Sequence, residues 1–336
     1  MSAQTSAIAG LRARGWTIDS SAATVVLLLL AAAVFLLIGC LRSTNFAQLT
    51  VQGVALGAVY GSLALALVLV YRATHVINFA QGELAMLTTY IAWDLMEHGL
   101  SYWAAFAVTL AIAFALGTAL EVTIIRPVQH RSVIATVIVT VGLFVLVDGV
   151  VNWIWGGDYK FMQSPFGNGS FTVGGVVISH LYVGMVAVVL ASVVLVWALF
   201  RFTKLGLGMR AAALRPAAAS LVGVRVDWML AIGWGLAAVL GAVAGLMAEP
   251  SQIFLSPTLM QPILVYAFAA AVLGGLESPA GAVIGGVAIG VTLTLIVGYV
   301  PEISSELQLP FAFAVLLLIL LIKPSGLFGR REVRRV

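Results

Sequence analysis

The chain has 336 residues, of which 62% are hydrophobic and 9% charged, where a soluble globular domain carries roughly 25% charged residues. A soluble protein is excluded, and at about 20 apolar residues per membrane helix the composition supplies about ten spans with little left over. The 17 basic and 13 acidic residues give a net charge of +4, but the basic stretches lack interleaved aromatics, so the charge speaks of loop placement rather than of nucleic acid.

Apolar runs predict spans near residues 22–41, 47–70, 76–96, 101–125, 132–153, 176–200, 228–248, 258–276, 279–299 and 307–322. This divides the chain into an N-terminal cytoplasmic segment 1–21, a transmembrane domain 22–322 containing a cytoplasmic loop 201–227, and a basic cytoplasmic tail 323–336. The first run is too long for a removable signal peptide and is kept as a span. Cys40 closes it, and a lone cysteine offers neither an internal disulfide nor a thiolate metal site. With the N-terminus inside, only Arg42 and Lys160 fall outside among the basic residues. That bias supports an even count with both ends cytoplasmic. The fold class is all-α and polytopic. Ten spans split five and five, and an odd-numbered half gives its partner the opposite orientation, the arithmetic of an inverted repeat.

Glycine is organised along the chain. Gly53, Gly57 and Gly61 fall four apart in the second span, and Gly241 with Gly245, Gly281 with Gly285, and Gly286 with Gly290 repeat the spacing. Such stripes let helix backbones approach closely where lipid gives no hydrophobic drive for association. A static packing seam and a moving one both fit.

Polar groups interrupt the apolar runs at His75-Val-Ile-Asn78-Phe-Ala-Gln81-Gly82-Glu83. On a regular helix Asn78 and Gln81 share a face and Glu83 is turned about 140° from Asn78, so all three converge only if the backbone bends near Gly82. Asn78, Gln81, Gly82 and Glu83 are therefore candidates for a translocation path, with an interhelical hydrogen-bond network as the alternative. The hairpin around Gly274, Gly275 and Glu277 reads either as a gate or as a tight turn. Glu121 is placed to reach Arg126, and Asp148 reads as structural. The four histidines show no metal-ligand spacing, and no nucleophile-base constellation is legible. The aromatics between Trp153 and Gly175 suit an interfacial belt.

The cytoplasmic loop contains Arg215-Pro216-Ala-Ala-Ala-Ser220-Leu221-Val222-Gly223. Pro216 suits the first position of a helix and Gly223 the position past its end. This predicts a two-turn helix between Arg210 and Arg225, too short to stand alone, which packs either under its own bundle or into a groove of another protein. A phosphate-binding loop needs a lysine in GxxxxGK[ST], and Lys160, Lys204 and Lys323 all lack that context.

The string Gly57-Ala-Val-Tyr60 through Tyr71, followed by Val76-Ile-Asn-Phe-Ala-Gln-Gly-Glu83, resembles the second and third spans of LivH-type permeases of branched-chain amino-acid ABC transporters. The likeness continues through Glu121–Pro127, Gly208–Ala211, Leu221–Val224, Ala267–Gly275 and Pro324–Gly329, and departs at Arg72, His75 and Leu214-Arg215-Pro216. The resemblance implies a multi-pass subunit in a bacterial inner membrane that is not itself an enzyme and holds no cofactor. It implies a LivM-like permease partner, two cytoplasmic ATPase subunits using ATP and Mg, and an extracytoplasmic substrate-binding protein. The cargo would be branched-chain or related amino acids, moved between the two permeases by alternating access. Arg210, Arg215, Pro216, Ala218, Ala219, Ser220, Leu221 and Gly223 would then form the ATPase contact. The competing reading is a self-sufficient secondary transporter or channel for a small polar solute such as urea or an amide, with Glu83 as its coupling carboxylate.

Overall fold

The computed structural model describes residues 34, 36–129, 131–252, 254–300, 307–322 and 326–328. The segment 1–21, most of the first expected span and all of the tail except residues 326–328 lie outside the described residues.

Local chemistry sets the helix boundaries. Helix α1, Thr44–Thr74, starts where the Ser43 hydroxyl accepts from Phe46 N–H at 3.3 Å and stops at His75, whose φ is 55°. Residues 75–80 are not helical, so α2 runs over Gln81–Glu97 and the third expected span starts five residues late. Helix α3, Tyr102–Leu120, widens into a π-helical turn, Glu121–Ile125, and ends in the short α4, Arg126–Gln129. Helix α5, Val133–Trp155, is capped by Ser132.

Strands β1, Ser170–Val173, and β2, Val176–Ser179, then form an antiparallel hairpin. Among the described residues the fold is therefore helical apart from this hairpin and an isolated bridge between Lys160 and Leu255, and the sixth expected span loses residues 176–179 to β2. The cause is Gly174-Gly175, whose φ values of 58° and 84° give the turn that matches strand twist.

Helix α6 is His180–Phe202, and Thr203 caps α7, Lys204–Leu214. Helix α8, Pro216–Leu221, has proline in its first turn, and Gly223 adopts a φ of 85° beyond its end. Helix α9, Val226–Ala248, passes into a 3-10 turn, Glu249–Ser251, and is followed by α10, Met260–Gly274, α11, Pro279–Tyr299, and α12, Gln308–Ile322.

Among the described residues six helical segments are long and apolar enough to cross a membrane: α1, α3 with its extension to Gln129, α5, α6, α9 with its extension to Ser251, and α11. Helices α2 and α10, at 17 and 15 residues, rise only about 25 and 22 Å at 1.5 Å per residue, short of a hydrocarbon core of about 30 Å. In the most apolar stretches of α1 and α9, 89% and 72% of residues are buried, against 28%, 22% and 22% in α3, α5 and α6. Helices α1 and α9 thus stand at the centre, and the other three turn apolar faces outward.

Glycine seams bring the central helices together. A Cβ on Gly53 or Gly57 would lie 2.6 or 2.7 Å from the Cα of Val291 or Val287, and Gly286 and Gly290 press in turn on the backbones of Gly61 and Gly57. Gly245 meets Ala85 and Thr89, Gly285 meets Ala270, and Gly274 meets Gly281. Every glycine pair singled out from spacing alone therefore faces a close neighbour. Within the bundle, side chains of α1, α2 and α3 donate hydrogen bonds to carbonyls of α9: Ser62 to Leu240 at 3.0 Å, Gln81 to Ala237 at 2.9 Å and Tyr102 to Leu246 at 3.1 Å.

Candidate functional site

The short helix α2 positions the candidate site. Its first residue, Gln81, bonds Ala237, the twelfth of the 23 residues of α9. The polar segment therefore enters the bundle half-way along a central helix, not at its end. Here α1 has ended at His75, and Val76, Asn78 and Ala80 are buried in the connection.

Asn78 and Gln81 come together, but across the turn that precedes α2 rather than on a shared helix face, because Asn78 lies outside the helix. The Asn78 amide donates to Gln81 Oε1 at 3.1 Å, and its Oδ1 accepts from Ala80 N–H at 3.1 Å, closing the start of α2. Gln81 passes the connection on to α9 and leaves no room for a side chain at Gly241. Gly82 faces Leu264 of α10, 3.0 Å from where a Cβ would stand.

Glu83 does not join this pair. No bend occurs at Gly82, so Glu83 stays on the face that 100° per residue assigns it. There it is fully buried beside the Gln261 amide of α10, with Asp148 of α5 in electrostatic reach. Neither carboxylate oxygen has a hydrogen bond of good geometry. The arrangement is thus a hydrogen-bonded pair on one side of α2 and a buried carboxylate on the other.

Spacing arguments missed Gln261 and Glu249. Gln261 is an amide one residue inside an apolar run, and only the tertiary fold brings it to Glu83. Glu249 is buried where α9 ends, close to Tyr102 of α3 and to the Met162 backbone. Its signal was the Glu249-Pro250 pair that terminates an apolar run.

The remaining candidates fall at the opposite end of the bundle from the β-hairpin. Gly275, at a φ of 94°, turns the chain between α10 and α11, and Ser278 caps α11. Leu327 and Phe328 N–H groups donate to the Leu273 and Gly274 carbonyls at 2.7 and 3.2 Å, covering the hairpin. Glu277 is exposed and in electrostatic reach of Arg72. Glu121 is fully buried and accepts two hydrogen bonds from Arg126, at 2.6 and 3.3 Å, as its position predicts. Arg126 also donates to the Asp227 carbonyl at 3.0 Å, tying the end of α3 to the start of α9. In α8, Ala219 is buried, whereas Ala218 and Ser220 are exposed and Leu221 and Val222 are 88% and 79% exposed.

Residues 49–320 match the family described as "Branched-chain amino acid transport system / permease component". The chain belongs to this family. It is 30% identical over 305 residues to the high-affinity branched-chain amino acid transport system permease protein LivH of Escherichia coli (strain K12), covering 87% of this chain and 98% of that one. It is 31% identical over 305 residues to the LivH protein of Salmonella typhimurium, with the same coverage. The corresponding permease protein BraD of Pseudomonas aeruginosa is 28% identical over 306 residues, again at 87% and 98%. The solved structure of PsaBC from Streptococcus pneumoniae in complex with Fab is similar over 87% of this chain and 97% of that chain, at 15% identity and a TM-score of 0.47. This family member is a multi-pass membrane protein.

Proposed function

We propose that this chain is the transmembrane permease subunit of an ATP-driven importer for branched-chain or related amino acids. The reading combines the family with one observation: a short helix that begins half-way along α9 with Asn78, Gln81 and Glu83 buried around its first turn. A buried carboxylate within a membrane bundle is costly and is kept for function, and polar side chains beside an interrupted helix are a transporter device.

In this reading substrate passes between this chain and a second, LivM-like permease by alternating access. Asn78, Gln81, Gly82 and Glu83 border the path, and the Gly274, Gly275 and Glu277 hairpin bounds its inner end. An extracytoplasmic binding protein delivers the substrate. Two cytoplasmic ATPase subunits, using ATP and Mg, hold the coupling loop at Arg210, Arg215 and residues Pro216–Gly223. The chain itself is not an enzyme. It lies in a bacterial inner membrane as ten spans, the first near residues 22–41, arranged as two inverted sets of five with both ends inside.

The exposed Leu221 and Val222 favour a partner at α8, since apolar side chains on a cytoplasmic loop are otherwise left in water. Purification of the intact chain from native membranes tests the reading. An ATPase and a second permease are expected to accompany it, and ATP hydrolysis is expected to rise when leucine-loaded binding protein is added. Solute exchange by the chain alone, without nucleotide, would instead establish a secondary transporter or channel. Reporter fusions after Arg215 and Arg331 should both read cytoplasmic.

A further inference from the structure

A cavity of about 480 Å3 lies away from the polar segment, between α1, α6 and α11, with α7 across one end. Its walls are apolar, among them Leu65, Val194, Trp197 and Ile284, while Arg72, Arg201 and Arg210 gather at one end. Val194, Trp197 and Ile284 are 48%, 57% and 39% exposed, so the cavity opens on the lipid-facing side of the bundle. Arg72 and Arg201 stand in the last turns of α1 and α6, at the level where hydrocarbon gives way to headgroups.

Among the described residues no carboxylate forms an ion pair with these arginines: the ion pairs there are His98 with Asp94 and Arg126 with Glu121. Among the same residues Arg210 donates to the Gly206 carbonyl, at 3.4 Å, and to no carboxylate. Arg72 feels both Arg210 and the exposed Glu277, which leaves a net positive end on an apolar slot. A zwitterionic lipid would leave that charge uncompensated, and a small free anion would leave the apolar walls unfilled.

We propose that this cavity is a binding site for an anionic phospholipid, its phosphate held by Arg72, Arg201 and Arg210 and its acyl chains lying against Trp197 and Ile284 between α6 and α11. Basic recesses between transmembrane helices on the cytoplasmic side suit such headgroups. Placing the site in the cytoplasmic leaflet rests on the orientation proposed above, whereas binding itself does not, so a failure of one is distinguishable from a failure of the other.

Trp197 supplies the probe. The full chain is reconstituted in phosphatidylcholine vesicles containing a minor fraction of either brominated phosphatidylglycerol or brominated phosphatidylcholine, and W197F is subtracted to isolate the Trp197 emission. Phosphatidylglycerol should quench Trp197 preferentially. R72Q and R201Q should each reduce that preference by about fivefold, as loss of one basic contact implies. I284F, which fills the slot and keeps every arginine, should abolish the preference for phosphatidylglycerol and leave only the equal quenching that exposed Trp197 receives from surrounding lipid, and the remaining tryptophans report that each variant retains the fold. Equal quenching of the unmodified chain by the two lipids, or a preference indifferent to the arginines, overturns the proposal. So does displacement by inorganic phosphate at constant ionic strength, which marks a free-anion site. Shielding of Trp197 from both lipids in the unmodified chain overturns it as well, because a protein segment then occupies the slot.

Discussion

Gly57 lies against Val287 on one helix pair while Gly290 presses back on Gly57 itself, so α1 and α11 meet backbone to backbone. Without a hydrophobic drive in lipid, that contact supplies the van der Waals attraction between the two helices. A side chain there must push the helices apart, whereas Gly149 on α5 has open space around it. Gly57→Leu should therefore destabilise the chain by about 1–3 kcal/mol, the range for overpacking, and Gly149→Leu should be nearly neutral. Thermal unfolding in one detergent compares them directly, and equal midpoints would mean that the seam is not tight. Gln81 carries a different kind of contact. Gln81→Leu keeps the volume but removes the bond to the Ala237 carbonyl and strands the Asn78 amide, at a cost of about 1–3 kcal/mol. Glu83→Gln leaves both of those bonds alone. It should unfold like the unmodified chain, and in the permease reading it should lose uptake.

Helix α8 shows what boundary residues settle and what they leave open. Pro216 and Gly223 mark the helix in sequence because each satisfies a local backbone rule, and the structure places it there. Boundary residues did not reveal α7, since residues 201–227 read as one loop carrying a single short helix. Gly206 is a packing glycine, fitted against the backbone of Leu199 and Phe200, and Thr203 caps the helix it belongs to. Asn78 and Gln81 were legible as neighbours because they are three apart, although a turn and not a helix face joins them, while Gln261 beside Glu83 depends on a contact across more than 170 positions that no local period encodes. Exposure now separates two alanines that sequence treats alike. Ala219 is 4% exposed and packs within the chain, so Ala219→Glu should lower stability and yield. Ala218 is exposed, so Ala218→Glu or Leu221→Asp should leave yield unchanged. If α8 seats an ATPase, these surface changes should lower substrate-stimulated ATP hydrolysis and uptake together. Unchanged hydrolysis and ATPase co-purification would place the coupling contact elsewhere.

At the scale of the whole molecule, the polar segment is shut in. Asn78 and Gln81 are each 1% exposed and Glu83 is not exposed at all. Helix α9 covers one side of α2 through Gly241 and Gly245, and α10 covers another through Leu264. A path bordered by these residues must uncover them in at least one state, and a permanent network need never do so. The packing says how that opening is available. Helix α2 is only 17 residues long and its start is a non-helical connection, so a shift along α9 must break the Gln81–Ala237 bond while the Gly241 and Gly245 positions leave no large α9 side chain in the way. Gln81→Cys and Glu83→Cys, made in a chain lacking Cys40, convert the alternatives into a measurement. In the intact complex each cysteine should be slow toward a small membrane-permeant thiol reagent in one nucleotide state and faster in the other. Ala244→Cys, buried in the core near the end of α9 at 0% exposure, should remain slow in both and sets the baseline. If the cysteines at 81 and 83 never rise above that baseline in any nucleotide state, the polar segment is a fixed brace between α2 and α9, and the path runs along another face of the permease.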